Sequence, residues 1–224
     1  MSTPRTRIRR LPEKSVADID ALHAVLDAAL VAHVAIVEAG QPYALPVACA
    51  RDADRLLLHG SSGSRLMRAL AAGTPMCATV TILDGLVVAR SAFESSMHYR
   101  SAMVLGRAKQ LTGDAAVEGL RVLTEHLLPG RWATLRAPTR KELAATTVLA
   151  IPLDEWSVKV SAGPPDDDPG DLDAPVWAGV IPLSLVPGEP LDAPDLRGRP
   201  SPSPTLTAIT EQSRRAAAPL PDWA

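Results

Sequence analysis

Aromatic side chains are nearly missing from this sequence, with four Trp, two Tyr and one Phe in 224 residues. Each of them therefore carries more weight than usual. Cysteine is equally scarce. Cys49 and Cys77 both lie in apolar runs, which points to buried free thiols in a reducing compartment rather than a disulfide or a metal site. An excess of one charge is lacking too, and a net charge of −2 gives no reason to expect nucleic acid or an anionic membrane surface as partner. The five histidines are scattered, with no metal-ligand spacing. No Ser-His-Asp order and no paired-carboxylate motif is visible, so hydrolytic and metal chemistry lack support. The longest apolar run, Ala28 to Val37, is interrupted by His33 and is far too short to span a bilayer. The basic residues Arg5, Arg7, Arg9 and Arg10 are followed by no apolar signal core. A cytoplasmic protein with no membrane partner is the expectation.

Proline is present but unevenly placed. Of its 21 copies, 13 fall between Gly163 and Ala224. The shift sets a boundary near Ser161, with residues 1–162 as one domain and 163–224 as a Pro-rich extended arm. Trp177, Val180, Ile181 and Leu183 are too apolar for a free linker, so the arm is expected to pack on the core or on a partner.

Within the first 162 residues, Ser15 and Asp18 resemble a capping box. Val16, Ile19, Leu22, Leu26 and Leu30 recur at helical spacing, which predicts a helix over 15–30. Strands are predicted at His33 to Val37, Tyr43 to Ala50 and Leu56 to His59. A short helix is expected over Arg65 to Ala72, then strands at Met76 to Leu83 and Leu86 to Ala89, broken by Asp84-Gly85. After a strand at Ala102 to Leu105, Asp114 to Leu128 is an amphipathic helix and Arg140 to Ala145 a short one. Thr146 to Pro152 and Trp156 to Val160 complete the strands. About six short strands and three helices without βαβ alternation predict a mainly β fold, an antiparallel barrel with peripheral helices.

Two segments carry the chemistry. Gly60-Ser61-Ser62-Gly63-Ser64-Arg65 joins a strand end to a helix start, a place of unpaired N–H groups that favours an anion. Its serines add hydroxyls, and Arg65 can fork onto phosphate oxygens. A solvent-facing turn with Ser64 as a plain N-cap fits the same residues. The spacing is neither a Walker loop nor a dinucleotide fingerprint. The second segment is Tyr99-Arg100-Ser101, an arginine at the mouth of a strand beside two hydroxyls. His59 is either structural or a donor to a ligand beside the loop. Trp177 could lie over a planar ring or anchor the arm.

In order along the chain, Tyr43-Ala44-Leu45-Pro46-Val47, Leu58-His59-Gly60, Gly63-Ser64-Arg65-Leu66, Leu83-Asp84-Gly85-Leu86, Arg90-Ser91-Ala92-Phe93 and Tyr99-Arg100-Ser101 resemble the flavin-nucleotide-binding branch of the pyridoxamine 5'-phosphate oxidase-like proteins. Nitroimidazole-resistance reductases belong to the same neighbourhood. The resemblance implies an FMN-binding split β-barrel, a homodimer with flavins at the subunit interface. It places Pro46, Val47, Ala48 and Cys49 along the isoalloxazine ring and Ser64 and Arg65 on the FMN phosphate. Arg100 and Ser101 would lie near the phosphate or the ring of the paired subunit. The chain departs from true pyridoxamine phosphate oxidases at Leu66, where they carry a lysine, and at Ser101, where they carry a glutamine. Their C-terminal Arg-x-His signature is not recognisable. These departures make a true pyridoxamine 5'-phosphate oxidase the least favoured of the readings. The favoured reading is an FMN-dependent oxidoreductase acting on a small acceptor such as a nitro compound or quinone. The alternative is a flavin carrier without turnover, and a deazaflavin or haem in the same barrel rests on analogy alone.

Overall fold

The computed structural model describes residues 3–198 and 201–217. A two-residue strand, β1 (Ser15–Val16), precedes α1 (Ile19–Ala28). A meander of β2 (Val31–Glu38), β3 (Gln41–Asp52) and β4 (Arg55–Ser61) leads into α2 (Arg65–Ala71). The long hairpin of β5 (Pro75–Val88) and β6 (Ser96–Arg107) follows, then β7 (Lys109–Leu111), α3 (Gly113–Leu127) and α4 (Arg140–Ala145). The strands β8 (Thr146–Pro152) and β9 (Glu155–Ser161) end the barrel. The arm adds β10 (Gly179–Pro182) and α5 (Ser203–Ala216).

The strands pair antiparallel in the order β1-β9-β6-β5-β2-β3-β4-β8-β7, with β10 added to β5. At Ala108 the chain steps from the partner of β6, which is β9, to the partner of β7, which is β8. That step joins the two halves, and the result is a split β-barrel. Leu22, Val25 and Leu26 of α1 plug its interior, against Val34 and Ile36 of β2, Leu56 and Leu58 of β4, and Trp156 and Val158 of β9. The run Leu56-Leu57-Leu58 is apolar without alternation because β4 is covered on both faces. Leu56 and Leu58 face the interior, while Leu57 packs outward under Leu123 of α3.

Some expectations need correction. Helix α1 begins at Ile19, with Asp18 as its N-cap accepting the Asp20 N–H at 3.1 Å. Ser15 and Val16 instead pair with Lys159 and Val158 at the sheet edge, a contact with residues far along the chain. The predicted break at Asp84-Gly85 is a β-bulge inside one continuous strand, between Leu83 and Gly85. Helix α5 lies within the Pro-rich stretch. Pro202 and Pro204 sit at its start, where a missing N–H costs nothing, so the prolines open the helix and do not prevent it.

Helix α4 carries a full capping box between Thr139 and Glu142. The Arg136 guanidinium, with help from Thr139, holds the Glu142 carboxyl down at about 2. A depressed carboxylate stabilises above its ordinary range. That contribution is lost as the pH falls towards about 2.

The arm is tied to the barrel in several places. Asp167, almost fully buried, accepts from the Arg90 backbone N–H at 2.5 Å and from Arg90 Nη1 at 2.7 Å. Gly179 and Ile181 of β10 stand opposite Val88 and Leu86 of β5. Gln212 of α5 donates to the His126 carbonyl at 2.7 Å. Among the described residues no helix is long and apolar enough to cross a membrane.

Candidate functional site

The Ser-rich loop leaves β4 and opens α2. Three of its N–H groups are already used: Ser62 donates to the Ala145 carbonyl, Gly63 to Ser61 Oγ and Ser64 to the Ser61 carbonyl. These bonds hold the loop shut on itself. The next three N–H groups, of Arg65, Leu66 and Met67, are the ones helix geometry leaves unpaired. Ser64 occupies the N-cap position, but its side chain makes no capping hydrogen bond. Both its hydroxyl and the helix start therefore remain open to an acceptor.

Arg65 turns towards the β2–β3 hairpin. Its guanidinium lies 3.8 Å from the centre of the Tyr43 ring, and its Nε is 3.6 Å from Glu38. Half of the Arg65 side chain is exposed, so the ion pair is a weak restraint. The stacked ring fixes the plane of the guanidinium and leaves its edge free for phosphate oxygens.

His59 stands two residues before the loop serines on β4. Burial pushes its imidazole below the ordinary range, so the ring is neutral. Its Nδ1 is buried without a hydrogen-bond partner among the described residues. A neutral imidazole is the form that can accept a hydrogen bond or bind a metal.

Strand alternation divides the run Pro46 to Cys49. Val47 packs against the barrel core and Cys49 lies wholly within it. Burial pushes the Cys49 thiol up to about 12, so it stays protonated. Pro46 and Ala48 share the opposite, outward face with His33 and Val31 of β2. Thr79 of β5 and Met103 of β6 continue the row from His33. The result is a flat outward face with small side chains at its centre, wide enough for a planar ring.

Arg100 and Ser101 lie elsewhere. Arg100 donates twice to Asp84, at 2.9 and 2.7 Å, and to the Ala216 carbonyl at 2.6 Å. Ser101 Oγ donates to the Lys159 carbonyl at 3.4 Å. Along β6, Arg100 is seven residues from Arg107, roughly 23 Å at the usual strand rise. Arg107 donates to the carbonyl of Gly73, just past α2, and so marks the barrel end that holds Ser64 and Arg65. Within one chain the two arginine corners are thus at opposite ends of the sheet.

Trp177 is largely exposed, and its indole lies across Gly179. A Cβ on Gly179 would come within 2.7 Å of the ring, so only glycine lets the indole approach there. The sequence suggested no site role for Tyr43, Asp84 or Asp167, although Tyr43 and Asp84 stand in the motifs that carry the resemblance. The first is one of two tyrosines, and its scarcity was the available signal. Nothing local marks the two aspartates, because their partners are distant in sequence. Among the described residues no three His, Cys, Asp or Glu side chains converge to hold a metal ion.

Several solved structures are similar to this chain, among them these three. A FAD- and haem-binding protein from Mycobacterium smegmatis shares 48% sequence identity, with a TM-score of 0.84 over 88% of this chain and 97% of its own. A flavocytochrome, Anf3, from Azotobacter vinelandii shares 40% identity, with a TM-score of 0.81 over 92% of this chain and 96% of its own. A candidate 5-nitroimidazole antibiotic resistance protein from Bacteroides thetaiotaomicron shares the fold, at 20% identity and a TM-score of 0.56 over 65% of this chain and 86% of its own. No significant match was found among curated proteins. Residues 18–160 match the model of the pyridoxamine 5'-phosphate oxidase family, and this chain belongs to that family.

Proposed function

We propose that this protein is a flavin- and haem-carrying redox protein, with FAD as the flavin in place of the FMN that the sequence resemblance implies. The observation that carries this reading is its likeness, at 48% and 40% identity and over nearly the whole chain, to a FAD- and haem-binding protein and to a flavocytochrome. The site fits both groups. Ser64 and Arg65 hold a flavin phosphate, and the face around Pro46 and Ala48 takes the ring. His59, neutral and only partly buried beside the loop, would hold the haem iron. Flavin and haem supply the electron chemistry. The chain binds them, orients them and excludes water.

The working unit is a homodimer. His33, at the centre of the outward face, is exposed, and elsewhere Phe93, at 91% exposure, and Trp177 are left uncovered. Such apolar surface is ordinarily covered, and a two-fold pairing covers it with a second copy. Pairing also lets Arg100 and Ser101 of one copy approach a flavin held by Ser64 and Arg65 of the other. The experiment is anaerobic reduction by NADH or NADPH, then addition of a nitroimidazole, a quinone or oxygen, on wild type and His59→Ala. Wild type should be reduced and then reoxidised. His59→Ala should lose the haem bands and keep the flavin. Reduction without reoxidation by any acceptor would make the protein a carrier, and unchanged haem in His59→Ala would remove His59 as the ligand.

A further inference from the structure

The flat outward face continues past His33 into a groove of about 680 Å3 at the Arg107 end of the sheet. Ala35 of β2, Cys77 of β5 and Leu105 of β6 stand side by side as its apolar floor. Ala35 is the next outward residue after His33, and Cys77 the one before Thr79, so floor and flat face are one surface. Asp154 and Glu155 bring negative charge to the rim, where Glu155 is paired with Arg5 at 2.5 Å. Arg107 and Lys109 bring positive charge. Arg107 spends one Nη on the Gly73 carbonyl. Lys109 is exposed and makes no hydrogen bond or ion pair among the described residues.

A strap of the same chain has the complementary chemistry. Residues 183–198, between β10 and α5, form neither helix nor strand and are almost entirely exposed. Leu185, Val186 and Leu191 stand at 73%, 70% and 94% exposure, an apolar run that nothing in its own chain covers. Glu189 and Asp192 flank Pro190-Leu191 and make no ion pair among the described residues. Pro187 and Pro190 keep the backbone extended, so laying it in a groove costs less entropy. The strap thus offers a leucine between two carboxylates, and the groove an apolar floor beside two cations.

Both ends of the strap are held at the Arg100 end of the sheet. Leu183 donates to the Asp84 carbonyl at 2.9 Å, and Arg100, paired with Asp84, holds the Ala216 carbonyl at the end of α5. The groove of the same chain lies at the other end of β6, roughly 23 Å away. Leu191 is only about 26 Å of fully extended chain from Leu183, so a strap reaches its own groove only when drawn taut. The two-fold pairing proposed above brings Arg100 of one copy to the Arg65 end of the other. It carries the strap there as well.

We propose that this groove is the docking site for the strap of a second copy of this chain, reciprocally in the two halves of the dimer. The partner's Leu191 rests on the floor over Cys77, and the partner's Glu189 and the partner's Asp192 meet Arg107 and Lys109. The inference rests on the homodimer reading above and adds to it the segment that clasps the two copies.

The test is disulfide trapping in the full-length protein, with diamide as the oxidant. Leu191→Cys should couple to Cys77 and run as a covalent dimer on a non-reducing gel. Cys77→Ser/Leu191→Cys should stay uncoupled, since Cys49 is wholly buried. Adding Lys109→Glu to Leu191→Cys should slow coupling about tenfold or more, the scale of a lost hydrogen bond to a charged group. Adding Asp192→Lys to that variant should restore most of the rate, which a merely structural role for Lys109 would not allow. Lys109, Leu191 and Asp192 are exposed, so the variants should melt like wild type. A cross-link within one chain, no cross-link, or a covalent dimer that persists without Cys77 overturns the strap assignment. An unchanged rate with Lys109→Glu overturns the ionic contact. Light scattering on wild type separates these failures from that of the homodimer reading. A dimer leaves that reading standing, and a monomer overturns both.

Discussion

Asp84→Ala is expected to lower stability by about 2–4 kcal/mol, because it strands the Arg100 guanidinium at the barrel mouth. The Asp84 side chain is 9% exposed and that of Arg100 20%, and two hydrogen bonds join them. The Ala216 carbonyl alone cannot neutralise the charge that remains. For a chain of this length the melting temperature should fall by roughly 5–15 °C. Asp27→Ala provides the contrast. Its pair with Arg51 has a half-exposed carboxylate, and its loss should cost within about 1 kcal/mol. Equal losses in the two variants would mean that burial does not set the worth of the Arg100 pair. Because Arg100 also holds the Ala216 carbonyl, proteolysis within α5 should be faster in Asp84→Ala.

Arg65→Ala should act on the ligand and hardly on the fold. Its pair with Glu38 is long and exposed at both ends, so thermal stability should change little. Binding of FAD or FMN should weaken by about 1.5–3 kcal/mol, the range for a hydrogen bond to a charged group. Riboflavin, which has no phosphate, should be affected much less. Isothermal titration with the three flavins reads this directly. Equal weakening of riboflavin and FMN would make Arg65 a structural residue and place the phosphate elsewhere.

The two arginine corners illustrate what the sequence discloses. Arg65 and Arg100 are each legible as the arginine at a strand or helix opening, because those signals are local. Their separation by the length of β6 is set by strand pairing, which no local pattern reveals. The hidden partners of Arg100 and Arg90 have the same cause, since Asp84 is the bulged residue of β5, 16 residues before Arg100, and Asp167 is 77 residues from Arg90. Helix α4 is legible to the residue because Thr139 and Glu142 sit at capping-box spacing. The start of α1 is not, since Ser15 is taken by an edge pairing with Lys159. Alternation accounts for Pro46 to Cys49. A run of four residues in one strand always sends two inward, and the buried Cys49 thiol is the clearest example. The flat outward face becomes visible only when β3, β2, β5 and β6 are laid side by side.

The absorbance spectrum of the purified full-length protein tests the central claim most directly. The account predicts a flavin band together with a haem Soret band, and denaturation should release FAD. A colourless preparation that gains neither band when FAD, FMN and haemin are added would contradict it.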